Sequence, residues 1–417
     1  MRVYNRANVP LLVWIVLGCT FLSVFVRGSV LGFNISGLSW VLPLFFSVLI
    51  IGFRAGRFYF PVWIWVPWIM LLILNLLAVD ASSLDLRVNP LQRTAQVLTP
   101  LVVGMASSTG LVNVRALEQI VRLFGKSSYL LLVGSVLISA STILAGQPSS
   151  LAAPVMTGLL LAIFFMNRYL LMNSSLDLRY YLLMAILPVI AITRTVMAVV
   201  LLSVPLSFAP IRMARRVAIV LVFCVIGIGA FYLPQVQEKM FFSGHGELSD
   251  VSLANPDFAT SGRSFMWGVV AADALNKPWL GHGTGSSESI TYAIADLAYP
   301  HNDWLLTFHD YGAVGVVIYL LCNLGMLWHC YISAKKTRNK TIKLFFLAGA
   351  SSFIPFMMVM FTDNIMVYAS YFGNLQYLII GLAYGALGCE RKKLLKIVNE
   401  NQNAAKFTVT TWRGRYS

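Results

Sequence analysis

The chain has 417 residues, 58% of them hydrophobic and 11% charged, with a mean hydropathy of +0.76. Soluble proteins carry about 25% charged residues, so a soluble globular domain is excluded. The formal net charge of +15 does not point to nucleic acid, because the basic residues cluster in short connections between apolar runs, as in cytoplasmic loops of membrane proteins.

Twelve apolar stretches predict an all-α polytopic membrane protein: 9–26, 37–53, 58–79, 95–113, 128–145, 151–167, 180–193, 195–210, 216–234, 311–330, 343–360 and 365–387. Each approaches the roughly 20 residues that cross about 30 Å of hydrocarbon as a helix. With both termini cytoplasmic, 24 of the 31 basic residues fall inside. Only Arg27, Arg87, Arg93, Arg194, Lys239, Arg263 and Lys277 fall outside, which fixes the orientation. Residues 180–210 are short for two crossings. A single helix there would hold Arg194 near mid-bilayer at about 2.5 to 3.5 kcal/mol. Two short helices hinged at Arg194 are therefore expected, with that arginine at the external face.

The five cysteines, Cys19, Cys224, Cys322, Cys330 and Cys389, lie within or beside spans and read as small apolar side chains, not as a disulfide framework. The first span is expected to be a retained anchor. The chain thus reads as a single membrane domain, 1–417, with a basic cytoplasmic tail over 388–417.

One connection is long. Residues 235–310 are expected to form a large periplasmic loop carrying short helices, and long loops in compact proteins are usually functional. Within it, Thr260 or Ser261 can cap a helix running from Gly262 to Leu275, with Arg263, Trp267 and Val270 on one face. That helix is expected at the membrane surface. Gly281-His282-Gly283-Thr284-Gly285 lacks the strand and helix of a dinucleotide fold and reads as a mobile turn. In Tyr299-Pro300-His301-Asn302-Asp303-Trp304, His301 should stand at or before the first turn of a new helix. The positive helix end keeps an imidazole there largely neutral, as suits a general base; a helix-capping histidine is the alternative.

Arg194, Arg263, His301 and Asp363 are expected near one external face, with Arg87 and Arg93 in another external connection. Guanidinium groups with one base suit an anionic substrate and an activated acceptor. No histidine and carboxylate cluster of metal-binding type is evident in the external segments.

Thr193-Arg194-Thr195 at a hairpin tip, Gly262-Arg263 with Trp267, Pro278, Gly281 and Gly283, and Pro300-His301-Asn302 with Leu305 and Gly312 together resemble the O-antigen ligase and O-antigen polymerase superfamily. The resemblance is topological over the whole chain and specific from about 190 to 365. It implies a metal-independent, inverting glycosyltransferase of the bacterial inner membrane, with no cofactor. Such an enzyme moves glycan from undecaprenyl diphosphate to an acceptor hydroxyl at the periplasmic face. Arg194, Arg263 and His301 map to catalytic positions. Asn302, Asp363, Arg87 and Arg93 are expected to bind substrate.

His301 to Leu305, together with Thr362-Asp363-Asn364, suits a polymerase of O-antigen or exopolysaccharide repeat units. The alternative is a ligase that transfers glycan to lipid A core, and a lipid-linked glycan flippase or other transporter is the rival from another class. The implied partners are the lipid-linked donor, a glycan or lipid A core acceptor, membrane lipids, a chain-length regulator and a flippase.

Overall fold

The computed structural model describes residues 9–413 apart from 27–28, 31–32, 55–57, 80–83, 86, 111, 145–150, 192, 253–254, 256 and 260–262. Arg2, Arg6, Arg27, Arg57, Arg415 and the expected cap at Thr260 or Ser261 lie outside the described residues.

An apolar chain in hydrocarbon must satisfy its backbone internally, and helices do so. The helices are α1 Leu11–Phe25, α2 Ile35–Phe53, α3 Val66–Ala78, α4 Pro90–Ser108, α5 Val114–Leu144, α6 Ala152–Met172, α7 Ser175–Ile190 and α8 Arg194–Leu202. They continue with α9 Met213–Phe231, α10 Pro234–Met240, α11 Arg263–Ala274, α12 Ser286–Ala295, α13 Asp303–Lys336, α14 Lys340–Val359 and α15 Gly373–Arg413. The described strands, Ser29–Val30 and Phe33–Asn34, form a minimal antiparallel hairpin. It is a small departure from the all-helical expectation.

Among the described residues, four helical stretches are long and apolar enough to cross a membrane by length and composition: 114–142, 152–172, 303–336 and 340–359. Leu11–Phe25, Gly37–Phe53 and Val62–Ala78 are apolar but shorter. The outward surface of α5 shows Leu130, Val133, Val136 and Leu137, all exposed. An apolar exterior of this extent suits hydrocarbon rather than water.

The core is built around α15, which lies against α4 and α14. Close approach requires a small residue: a Cβ added at Gly381 would stand 2.0 Å from Ser107 Oγ and 2.2 Å from the Gly104 carbonyl oxygen. Buried polar links then fix register. Asn167 on α6 accepts from Ser207 (2.8 Å) and Ser351 (3.0 Å), and Gln376 donates to Ser352 (2.9 Å).

Three boundaries differ from expectation. The stretch 195–210 is helical only to Leu202, about 13.5 Å of rise, because Pro205 removes a donor and cannot continue the helix. Arg216 instead donates to the carbonyls of Pro205 (2.8 Å) and Ala209 (3.1 Å). Secondly, α13 begins at Asp303, eight residues before the expected span, and is broken at Gly312 (φ 67°, ψ −172°). Thirdly, residues 360–372 are turns, and α15 starts at Gly373 and continues through the basic tail without a break at 388. At the other doubtful place, α7 ends at Ile190 and α8 starts at Arg194, so the hinge falls where the basic flanks put it.

The glycine-rich stretch is no mobile turn. The amides of His282 and Gly283 donate to the carbonyls of His309 and Asp310 (both 2.9 Å), and that of Ala313 donates to Pro278 (2.8 Å). Gly281 and Gly312 have positive φ, and a Cβ on either would meet backbone atoms at 2.4 Å and 2.2 Å. Gly281→Ala is therefore expected to lower the thermal unfolding midpoint and the folded yield. Gly268→Ala, with nothing within 4 Å of the added carbon, should leave both unchanged in the same melting assay.

Candidate active site

Four separate segments converge at the start of α13. Asn302 is the N-cap of that helix, its side chain accepting from the Leu305 amide (2.9 Å), so the cap is the asparagine and not the histidine. His301, one residue earlier, has φ 53°, a left-handed conformation that costs a non-glycine residue about 1 to 2 kcal/mol. Such a conformation persists only where its surroundings hold it, as they do here. Trp267 Nε1 of α11 donates to the Pro300 carbonyl at 2.6 Å, which clamps the peptide just before it.

The imidazole faces the turn after α14. His301 Nδ1 lies 3.6 Å from the Asp363 carboxylate and 3.1 Å from Asn364 Nδ2. The turn itself is held by Asp303, a fully buried residue whose amide donates to the Met360 carbonyl (2.8 Å) and whose carboxylate accepts from the Met366 amide (2.6 Å). Nothing in the sequence pattern marked Asp303 apart from the other acids of its segment.

Of the two catalytic-candidate arginines, Arg263 reaches this turn and Arg194 stands beside it. Arg263, the first residue of α11, donates to the Thr362 carbonyl at 2.6 Å. Thr362 Oγ1 donates to Thr195 Oγ1 at 2.8 Å, next to Arg194, whose own contact is to the Ala259 carbonyl at 3.4 Å. The two guanidinium groups are close enough to repel each other. Among the described residues neither has a carboxylate at ion-pair distance, so two positive charges stand together with only carbonyl partners.

Arg87 and Arg93 lie elsewhere. Arg87 is exposed and paired with Asp85 (3.0 Å) and Asp296 (2.6 Å). Arg93 is mostly buried, pairs with Glu288 (2.6 Å), donates to Gln96 (2.7 Å) and stacks over Tyr299 (4.6 Å). It lines a cavity of about 820 Å³ together with Gln96, Tyr292, Tyr299, Tyr368 and Trp40. Tyr299 meets Tyr368 edge-on at 5.6 Å, and each belongs to a segment that builds the His301 site, so that pair forms a shared wall.

Burial pushes the Glu288 carboxyl up to about 8, with Arg93 pulling it the other way. Arg93→Met should therefore destabilise the fold by about 3 kcal/mol at alkaline pH, as expected for a broken buried pair, and by less in acid. Sign decides the direction: an acid with a raised folded-state pKa binds more protons folded than unfolded. Stability therefore falls as pH rises from about 4.5 to about 8 and levels off above that. Thermal melts at pH 6 and pH 9 measure this, and an equal loss at both would overturn it.

A second polar cluster escaped sequence reading, which expected none of this type. His309 is fully buried; its Nε2 stands 2.9 Å from Asp273 Oδ2 and its Nδ1 3.1 Å from Asp310 Oδ1. His282, in the stretch expected to be a mobile turn, stacks on His309 (centroids 4.7 Å, planes 16° apart), with Nε2 3.0 Å from the Asp273 carbonyl. The Asp273 carboxyl is held below its usual range: burial works against this, but the His309 hydrogen bond and the charges of both histidines outweigh it.

No curated protein matches the chain. Residues 179–320 match the family model described as O-antigen ligase, a stretch that contains Arg194, Arg263, Trp267 and His301. Two arginines without carboxylate partners among the described residues and a braced histidine thus lie inside the matched region, and the match of residues 179–320 to the O-antigen ligase model supports the O-antigen ligase and polymerase superfamily.

Proposed function

We propose that the protein polymerises undecaprenyl-diphosphate-linked oligosaccharide repeat units by inverting glycosyl transfer at the periplasmic face of the bacterial inner membrane. The carrying observation is the gathering of Arg263, His301 and Asp363 at one turn with Arg194 beside it, both arginines being free of carboxylate partners among the described residues. In this reading the chain crosses twelve times with cytoplasmic termini, as the clustering of 24 of its 31 basic residues in the inner segments supports, and the turn faces the periplasm.

In this reading the acceptor hydroxyl oxygen attacks the anomeric carbon, and the bond from that carbon to the diphosphate oxygen breaks. The lipid diphosphate leaves with the electron pair. Arg194 and Arg263 stabilise the charge that develops on it, as preorganised donors do in water-poor sites, and their forked geometry suits phosphate. His301 takes the hydroxyl proton, and the Asp363 carboxylate 3.6 Å from its ring stabilises the imidazolium that forms. The aromatic cavity beyond Tyr299 and Tyr368 offers room for sugar rings, with Arg93, Gln92 and Gln96 as polar partners.

The description of the matched family favours a second reading, ligation of finished glycan to lipid A core, which uses the same donor and chemistry. Purified protein given lipid-linked repeat units alone should lengthen chains on the carrier. If glycan moves only when lipid A core is added, the ligase reading replaces the polymerase; if neither product forms, the transferase reading fails.

A further inference from the structure

We infer that Asp273, His282 and His309 form a binding site for a zinc-like divalent transition-metal ion that staples the 263–295 region to α13. The three donor atoms lie within 4.8 Å of one another. Asp273 Oδ2 stands 2.9 Å from His309 Nε2 and 3.5 Å from His282 Nε2. A tetrahedral ion with bonds near 2.0 to 2.1 Å spaces its ligands by about 3.3 Å, between those two distances. Two imidazoles and one carboxylate select zinc over magnesium or calcium, which prefer all-oxygen shells. The parallel rings converge on one ion by a rotation of His282, which is the more exposed of the two.

The surroundings repeat what metal-bound histidines need. His309 turns its other nitrogen to the buried Asp310 carboxylate, which accepts from the Gly285 amide (2.7 Å) and the Ser287 amide (2.9 Å) at the start of α12. A carboxylate so anchored fixes the tautomer and ring plane of a ligating histidine. Asp273 is the most exposed of the three ligands, so its side gives the ion a way in and leaves a fourth position for water.

Position sets the role. Asp273 lies ten residues along α11 from Arg263, about 15 Å, too far for the ion to neutralise a diphosphate held there. What it joins is the C-terminal turn of α11, the glycine-rich stretch and the first turns of α13, three segments that otherwise meet through a few hydrogen bonds. The ion therefore acts on folding free energy and not on the reaction, and its binding can be measured without any turnover assay.

The test uses untagged, chelator-stripped protein in detergent, titrated with zinc chloride by calorimetry, with metal content and melting followed in parallel. One zinc per chain is expected, with a Kd on the order of 1 µM or tighter and a melting midpoint that rises with zinc concentration. Asp273→Asn and His282→Gln should each weaken binding at least tenfold and remove the zinc-dependent rise. A single cooperative melt of each variant without metal is the check that it still folds. His301→Gln, outside the cluster, should bind zinc as the parent does. Absence of stoichiometric zinc, or equal affinity in an intact His282→Gln, overturns the site.

Discussion

Arg194→Ala and Arg263→Ala are each expected to reduce glycan transfer by at least about 10²-fold, the loss that follows removal of one preorganised donor from a developing anion. The effect should be catalytic and not structural. Arg194 gives up one long contact to the Ala259 carbonyl and Arg263 one contact to the Thr362 carbonyl. Neither change strands a buried carboxylate, so membrane protein level and melting should stay near those of the parent. Lysine should restore little at either place, since a point charge does not reproduce the planar fork. Transfer from a purified lipid-linked donor, measured beside thermal unfolding, gives the answer. Near-parental turnover in Arg194→Ala would remove it from the diphosphate.

His301→Ala should lose about 10² to 10⁴ in rate, the range of general-base contributions, while still binding the lipid-linked donor. Three histidines on the same side of the bundle now have distinct expectations. His309 is fully buried between two carboxylates, so its loss leaves them facing each other and should appear first as lower stability. His282→Ala should also act through stability, by removing a stacked ring. His301, partly exposed and held by the Asp363 and Asn364 turn, can lose its ring with little effect on melting. If His282→Ala retains its melting midpoint yet loses transfer, while His301→Ala keeps transfer, the base has been misassigned.

Much of the bundle was legible because a helix in lipid needs only length and apolar content, and eleven of the twelve expected stretches carry helix over most of their length. The exception, 195–210, ends early at a proline that hydropathy alone does not weigh. Arg194, His301 and Asp363 could be grouped because each was expected close to one external membrane face, with Arg263 in the loop above it, and few ionisable groups occur at that depth. Arg87 and Arg93 fit the same description, yet fold against Asp85, Asp296 and Glu288. Charge count and sidedness do not encode which acid closes on which arginine. The Asp273, His282 and His309 cluster was invisible for a related reason: its members are 9 and 27 residues apart in sequence, on a helix end, a glycine bend and a second helix. Only the positive-φ path through Gly281 and Gly283 brings them together.

That path also governs which pieces of this chain can be exchanged. Backbone hydrogen bonds lace 278–283 to 309–314, and the carboxylate of Asp310 seats the start of α12. A chimaera that took new sequence on one side of this seam alone would break the pairing along it, so residues 278–314 can be transplanted only as a block. The preceding excursion is different. It is pinched shut by the Phe241 and Phe258 bridge and by the Ser243 amide donating to the Asp257 carboxylate, and most of the described residues between are exposed. A segment closed on itself in this way can be lengthened, shortened or swapped while the arginine and histidine geometry stays in place. Variation among such proteins would then be free to accumulate in 242–257 at little cost to the chemistry beside it.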